Sequence, residues 1–393
     1  MAVFTVRLAP GKEARVQAGH PWIYRSEIAR VEDEGEPGAI AHVWDSRGRL
    51  LGQAMVNLKS QIAGRLLSHS EEPIDAAFFG RRIGEAVGRC GRSVKGPDAC
   101  RLIFGEADHL PGLIVDRYGD LLVIQILTAG MERVREMILA ALRGAIQPRA
   151  IYERNDASPR KLEGLELRKG FAWGQGETGL WIQEGDLRFF IEVAEGQKTG
   201  FFLDQRENRR VVMGLAAGRE VLDCFCYSGG FALSAAAGGA AAVTGIDLSA
   251  EAIAWAEQSA ERNGLSSRCT FMMGNAFDAL RAFDREGRRF GMLILDPPAF
   301  TKGKGALAGA LRGYKEINLR AMKLLSPGGV LVTCSCSYHV DAPTFLDMLR
   351  AAAADAHREF RLRELRTQAN DHSILLAAKE TQYLKCAILE ALN

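Results

Sequence analysis

The stretch EVLDCFCYSGGF, residues 220 to 231, runs from an apolar segment through Asp223 into a turn with two glycines. It reads as a short β-strand, a loop and the start of a helix. Gly229 and Gly230 let the backbone approach a ligand closely just where that helix begins. The pattern is not GxGxxG, so a dinucleotide pyrophosphate is not its natural guest. Working outward, AVTGID, RFGMLILDPP and GGVLVTCS repeat the strand-like composition, and FALSAAA, SAEAIAWAEQSAERNG and LRGYKEINLRAMKLL separate them with helical patterns. The alternation predicts an α/β domain with a mainly parallel sheet from about residue 186. In such sheets ligands sit at the carboxyl ends of the strands, so the residues just past each strand carry the functional reading.

Asp247 closes the second run, 24 residues beyond Asp223. An acid there can accept from both hydroxyls of a ribose; the plainer reading is an exposed acid ahead of a helix capped by Ser249 and ended at Asn263-Gly264. The loop and the spaced acid together point to a nucleoside ligand. Asn275, in MMGNAF, can read an adenine edge or serve only as a turn residue. In DPPAF, residues 296 to 300, two prolines fix a rigid loop that orients Asp296 and offers Phe300 for stacking on a planar base. The last run enters TCSCSYHV, residues 333 to 340. A redox pair two positions apart strains disulfide geometry, and a metal needs ligands beyond His339. Packing at a strand end suits Cys334, and a nucleophile suits Cys336.

The remaining sequence frames this domain. A chain of 393 residues predicts two or three domains. Its net charge of +2 means that any nucleic-acid contact comes from local basic patches. The start of the chain carries Arg7, Lys12, Glu13 and Arg15 where a secretory signal would be apolar, and the Gly- and Ala-rich run from Phe231 is too short to span a bilayer. Eight cysteines without a CxxC suit reduced thiols in the cytoplasm. Residues 1–70 read as short strands with turns. Residues 71–185 read as a helix from near Pro73, a hairpin turning at Tyr118-Gly119-Asp120, a second helix and the strand AIYERND. The segment RRIGEAVGRCGRSVK, 81 to 95, sets five basic residues against Glu85; it is a solvated helix face or, next to a small β domain, an RNA-facing patch.

DCFCYSGGF, GIDLS, LDPPAF and the strand-end cysteine resemble the class I S-adenosylmethionine-dependent methyltransferases. With HPWIYRSEI (20–28), LPGLIVDRYGDLLVIQ (110–125), KTGFFLDQRENRR (198–210), RGYKEIN (312–318) and CSCS, the chain resembles the ribosomal large subunit methyltransferase I family along almost its whole length. The resemblance implies a PUA-like RNA-binding β domain over 1–70, a middle α/β domain over 71–185 and a Rossmann-like methyltransferase domain over 186–393. It implies S-adenosyl-L-methionine held by Phe202, Asp223, Phe225, Tyr227, Ser228, Gly229, Asp247, Leu248, Asn275, Ala276 and Asp296. It assigns catalysis to Cys336 and Asp296, substrate contacts to Phe300, Lys302 and Arg206, and no metal. The implied partner is 23S ribosomal RNA or a large-subunit assembly intermediate, with no membrane and with a homodimer left open. Two positions depart from the family pattern: Asn275 stands where an Asp is expected, and Cys334 is an extra thiol.

The implied reaction makes 5-methylcytosine. Addition of a thiolate at carbon 6 makes carbon 5 nucleophilic toward the cofactor's methyl group, and elimination restores the ring. The thiol needs a nearby positive charge, with Lys302, Lys304 and His339 as candidates, and Lys302, Lys304, Arg312 and Lys315 could also meet RNA phosphate. Three readings compete: an exocyclic-amine methyltransferase using DPPAF without a cysteine, a non-catalytic RNA-binding assembly factor, and a small-molecule methyltransferase.

Overall fold

The computed structural model describes residues 4–33, 35–93, 98–300 and 307–393. Contacts divide the chain into two compact units. One holds Met1–Thr178, Val193–Phe201 and Asn370–Thr381; the other holds Gly179–Glu192, Phe202–Ala369 and Gln382–Asn393.

The first unit opens with β1 (Phe4–Leu8), α1 (Ala14–Gln17), β2 (Trp22–Tyr24), β3 (Ile28–Glu32), β4 (Ala39–Trp44), β5 (Leu50–Val56) and β6 (Ile62–Ser68). These strands form one sheet in the order β2-β6-β5-β4-β1-β3. Along β1, Phe4, Val6 and Leu8 turn inward at period two, which buries one face of the sheet. Next come α2 (Ala76–Ser93), β7 (Ala99–Phe104), β8 (Leu113–Tyr118), β9 (Leu121–Ile126), α3 (Ala129–Arg133), α4 (Arg135–Ile146), β10 (Ala150–Asn155), α5 (Pro159–Leu162) and β11 (Arg168–Trp173). Their five strands pair in the order β11-β10-β9-β8-β7. The motifs LPGLIVDRYGDLLVIQ and KTGFFLDQRENRR meet inside this unit. Arg101 grips Asp116 with two 2.7 Å bonds, Thr199 donates to Asp116 at 2.5 Å, and the Tyr118 hydroxyl lies 3.0 Å from Thr199.

The charges on α2 are mostly spoken for. Arg81 pairs with Glu72 at 2.6 Å, Arg82 lies 3.7 Å from Glu85 and over the Phe78 ring, and Arg89 pairs with Asp108. Arg81, Arg82 and Arg89 thus each meet an acid, which is compatible with the helix-face reading of residues 81 to 95, and Lys95 lies outside the described residues.

The second unit begins with the hairpin β12 (Gly179–Glu184) and β13 (Leu187–Glu192). The boundary drawn from sequence at 185/186 falls at the turn of this hairpin. It continues with α6 (Arg206–Leu215), β14 (Glu220–Cys224), α7 (Gly230–Ala237), β15 (Ala242–Asp247), α8 (Ala250–Arg262), β16 (Cys269–Met273), α9 (Ala276–Arg285), β17 (Phe290–Leu295), α10 (Leu307–Leu324), β18 (Leu325–Ser335), α11 (Ala342–Asp355), β19 (Phe360–Arg366) and β20 (Lys385–Ala391). β13 is tied to α8: the Phe190 N–H donates to Ser259 at 2.9 Å, and Arg188 and Asn263 exchange bonds of 2.9 and 2.7 Å.

The seven-stranded sheet has the order β16-β15-β14-β17-β18-β20-β19, parallel except that β20 runs antiparallel to both of its neighbours. Its central strands are apolar at nearly every position because both faces are covered. Leu222, Leu293, Leu295 and Leu331 face α9, α10 and α11, while Val221, Ile294 and Val332 face α6 and α7. Ser249 caps α8 by accepting the Ala252 N–H at 3.1 Å, and Gly264, at φ 66°, follows its end as expected.

Candidate active site

The order of the sheet reverses between β14 and β17. From β14 the chain builds outward through β15 and β16, then returns to add β17 and β18 on the other side. That reversal opens a crevice at the carboxyl ends of β14 and β17.

The loop after β14 is held in an uncommon shape. Phe225, Tyr227 and Gly229 take left-handed backbone with φ of 65°, 48° and 80°. Two non-glycine residues in that region cost energy and persist where the surroundings fix them. Here the Cys226 N–H donates to Ile246 O at 3.0 Å and the Tyr227 N–H to Asp247 Oδ2 at 2.9 Å. A Cβ on Gly229 would stand 3.0 Å from that of Ala256, so α8 also requires glycine there. Phe202 packs edge-on against Tyr227 at 5.2 Å.

Asp223 is fully buried at the base of this loop, and neither carboxylate oxygen meets a donor in hydrogen-bonding geometry. Burial, then the charges of Asp296 and Asp247, push its carboxyl well above the ordinary range against the weaker pull of the Ala232 N–H. The hydroxyl of buried Ser228 is likewise without a partner. Orphaned buried groups of this kind call for a ligand.

Asp247 ends β15, half-buried, and its two oxygens take the N–H groups of Tyr227 and Ser249 at 2.9 and 3.0 Å. Each oxygen keeps a second lone pair. Leu248 and Met273 beside it are 67% and 66% exposed, an apolar platform suited to a planar base. Asn275 caps α9, its side-chain carbonyl accepting the Phe277 N–H at 2.9 Å. The turn reading of Asn275 therefore holds in this structure, and any contact with an adenine shares that oxygen or uses the amide. Ala276 is buried behind it.

Asp296 and Pro297 follow β17, and the Asp296 N–H lies 3.4 Å from Cys224 O. Cys336, just past β18 and half-buried, brings its Sγ to 4.0 Å from Pro297 O. The structure thus brings Cys336 to the Asp-Pro-Pro loop. Cys334 goes elsewhere: it is fully buried in the core, directly opposite Cys386 on β20, and the contact with Cys386 and burial hold its thiol well above the usual range. Cys224 and Cys226 are likewise raised by burial.

Three expectations for substrate contacts resolve differently. Phe300 packs against Tyr314 at 4.6 Å and Phe277 at 6.1 Å, in an aromatic cluster for which Gly313 makes room. Arg206 is 1% exposed, with its Nε 3.6 Å from Glu184, and so belongs to the interior. It shares Glu184 with Arg209, which binds that carboxylate at 2.8 and 2.5 Å. Burial pushes the Glu184 carboxyl up, but the two arginines outweigh it and hold it below the ordinary value. Lys302 and Lys304 lie outside the described residues. Lys315 pairs with Asp355 at 2.7 Å, and His339 meets the Tyr338 ring edge-on at 5.1 Å. Among the described residues no group of three or more His, Cys, Asp or Glu is placed to hold a metal ion.

The sequence reading passed over Tyr314, Ser337 and Lys385. Tyr314 and Ser337 join hydroxyls at 2.8 Å below Cys336, and Lys385 reaches the carbonyl oxygens of Ser337 and Tyr383 at 2.8 Å each. Tyr314 stands in the motif RGYKEIN. A lysine inside the apolar run YLKCAILEA was the signal available for Lys385.

A sheet whose order reverses beside a glycine turn, with Asp223, Asp247 and Asp296 at the ends of three neighbouring strands, is the architecture of a class I, Rossmann-like methyltransferase domain. The family described as S-adenosylmethionine-dependent methyltransferase matches residues 168–369, and a PUA-like domain family matches residues 6–69. Over its whole length the chain is similar to two proteins named ribosomal RNA large subunit methyltransferase I. It is 42% identical to that of Erwinia tasmaniensis, covering 97% of this chain and 98% of the relative, and 41% identical to that of Aeromonas salmonicida, covering 100% of both. The chain belongs to the ribosomal RNA large subunit methyltransferase I family. Its fold is similar to that of a Streptococcus mutans protein classed provisionally as a SAM-dependent methyltransferase, with a TM-score of 0.85 at 20% identity over 98% of this chain and 99% of that one. A related structure, solved complexed with SAH, gives 0.84 at 20% identity over 99% and 100%.

The crevice suits S-adenosylmethionine, which is cationic at its amine and sulfonium. Asp223 and Ser228 are buried groups in want of a partner, and Asp223 feels the negative charges of Asp247 and Asp296. A bound cation relieves that repulsion.

Proposed function

We propose that the protein methylates carbon 5 of a cytosine in large-subunit ribosomal RNA, with Cys336 as nucleophile. The observation that carries this reading is the approach of the Cys336 Sγ to within 4.0 Å of Pro297 O, beside Asp296 at the mouth of the crevice. S-adenosylmethionine, when bound, supplies the methyl group as an electrophile. Asp223 and Ser228 would hold its amino-acid end, Asp247 its ribose, and Leu248 its base. Cys336 as thiolate forms a bond from Sγ to cytosine carbon 6, and the electron pair of the 5,6 double bond is thrown onto carbon 5 for methylation. A base then takes the carbon-5 proton, the Sγ–carbon 6 bond breaks, and the double bond and the thiolate return. Asp296 is placed to hold the pyrimidine's polar edge and stabilise the adduct. The target base has to leave its stack to reach a half-buried thiol, which favours a single-stranded or extruded cytosine.

The amino-methylation reading needs an aromatic platform at DPPAF. The Phe300 ring is engaged by Tyr314 at 4.6 Å, which weighs against it. The test is methyl transfer from labelled S-adenosylmethionine to unmodified large-subunit rRNA, with bisulfite mapping, for wild type, Cys336→Ala and Cys334→Ala. One new bisulfite-resistant cytosine, lost with Cys336→Ala and retained with Cys334→Ala, is expected. Full activity in Cys336→Ala would overturn the carbon-5 mechanism.

A further inference from the structure

Lys385 opens β20, and β20 is otherwise a core strand. Its neighbours Leu384, Cys386, Ala387 and Ile388 are all buried, and Lys385 itself is 7% exposed. It pairs in register with Ser335, one residue before Cys336. Its ammonium turns to the end of β18, where Nζ donates to Ser337 O at 2.8 Å and to Tyr383 O at 2.8 Å. Both of these partners are neutral. Two neutral carbonyls repay poorly the cost of taking an ammonium out of water, and an apolar residue would suit this strand better.

We propose that Lys385 is a positioning residue that holds a fixed positive charge behind Cys336 and favours its thiolate. The proposal rests on the reading of Cys336 as the nucleophile. Ser337 ties the two together: its carbonyl receives Lys385, its hydroxyl meets Tyr314 at 2.8 Å, and it is the next residue after Cys336. The titratable groups around this corner are Asp341 at the start of α11, Tyr314 on α10, Asp296 after β17 and the buried pair Cys334 and Cys386. Cys336, when ionised, and Asp341 are the groups whose negative charge would reach Lys385. Burial lowers the Lys385 ammonium to about 8 against the pull of those two groups, so it stays largely charged at pH 7. Burial, and the charge of Cys336 when it is ionised, both raise the Tyr314 hydroxyl. Lys385 moves no proton in this account. It lowers the cost of the anionic sulfur, and that advantage fades as the pH rises past about 8.

The test reads the thiol directly. The full chain, free of cofactor, is treated with iodoacetamide between pH 6 and pH 10, and carboxamidomethylation of Cys336 is followed by peptide mass spectrometry. Wild type is compared with Lys385→Met, Lys385→Gln and Lys385→Arg, with thermal melting as the check on folding. The expected result is alkylation about tenfold slower at pH 7 in the Met and Gln variants, the effect of one pKa unit. Lys385→Arg should stay near wild type, and the curves should converge at high pH. A Gln or Met variant that melts like wild type and has a superimposable alkylation profile would overturn the proposal. So would an Arg variant as slow as Met, which would mark Lys385 as only a backbone clamp. Methyl transfer by Cys336→Ala is measured alongside. Full activity there would sink the nucleophile reading and leave the alkylation comparison intact.

Discussion

Asp223 is a carboxylate in a place that penalises its charge. Its raised folded-state pKa works against the empty protein: the stability linked to this group is complete below the ordinary carboxylate range and is lost as the pH rises through the raised value. Asp223→Asn should therefore melt higher than wild type without cofactor, with a gap of about 1–3 kcal/mol that widens from pH 5 to pH 8. The same variant should bind S-adenosylmethionine about tenfold or more weakly, because a charge-assisted contact to the amine is lost. Calorimetric binding and melting curves on one preparation check both signs. Cys334→Ala belongs to the same scale. It empties a small part of the core opposite Cys386, so it should cost about 1–2 kcal/mol of stability and leave turnover per folded molecule unchanged. Titration with denaturant beside methyl transfer separates the two effects.

At the scale of elements, the strand-end reading works because the sheet obeys simple rules. Parallel strands covered on both faces announce themselves as apolar runs, and the residues at the carboxyl end of each run face the crevice. The strand-end placement of Asp223, Asp247, Asp296 and Cys336 was therefore legible in sequence. The loop after β14 shows why the glycine mattered. Gly229→Ala meets both a positive φ and the Ala256 Cβ at 3.0 Å, so it should cost about 1–2 kcal/mol and weaken cofactor binding. The segment KTGFFLDQRENRR shows what was not legible. The resemblance gave Arg206 a substrate contact, yet Arg206 and Arg209 turn inward onto Glu184, a residue of β12 that no short-range pattern links to them. Arg209→Met should strip a buried carboxylate of its main partner and lower stability by about 3–5 kcal/mol; adding Glu184→Gln should recover much of that loss. A double-mutant melting cycle decides it. Phe300 escaped for the same reason, because the fate of its ring is set by Gly313 and Tyr314 on α10.

At the scale of the whole molecule, the two units are interleaved along the chain. Residues 193–201 and 370–381 belong with the N-terminal unit although the sequence around them belongs to the other. No composition shift marks such excursions, because each excursion is defined by distant partners such as Asp116 and Tyr118 for Thr199. A fragment beginning at residue 186 would lose β12 and leave β13 without a strand partner on either edge. A fragment beginning at residue 179 keeps the hairpin. The longer fragment should be the more soluble and the more resistant to protease, as limited digestion and light scattering would show. Among the described residues no helix is long and apolar enough to cross a membrane.

The orphaned carboxylate of Asp223 also bears on how strongly a ligand stabilises the folded chain. A ligand that binds only the folded chain raises the folded fraction with its own concentration. A chain whose empty crevice holds a repelled acid gains more from that ligand than one whose crevice is neutral. Added S-adenosylmethionine is therefore expected to raise the melting temperature of the wild type more than that of Asp223→Asn.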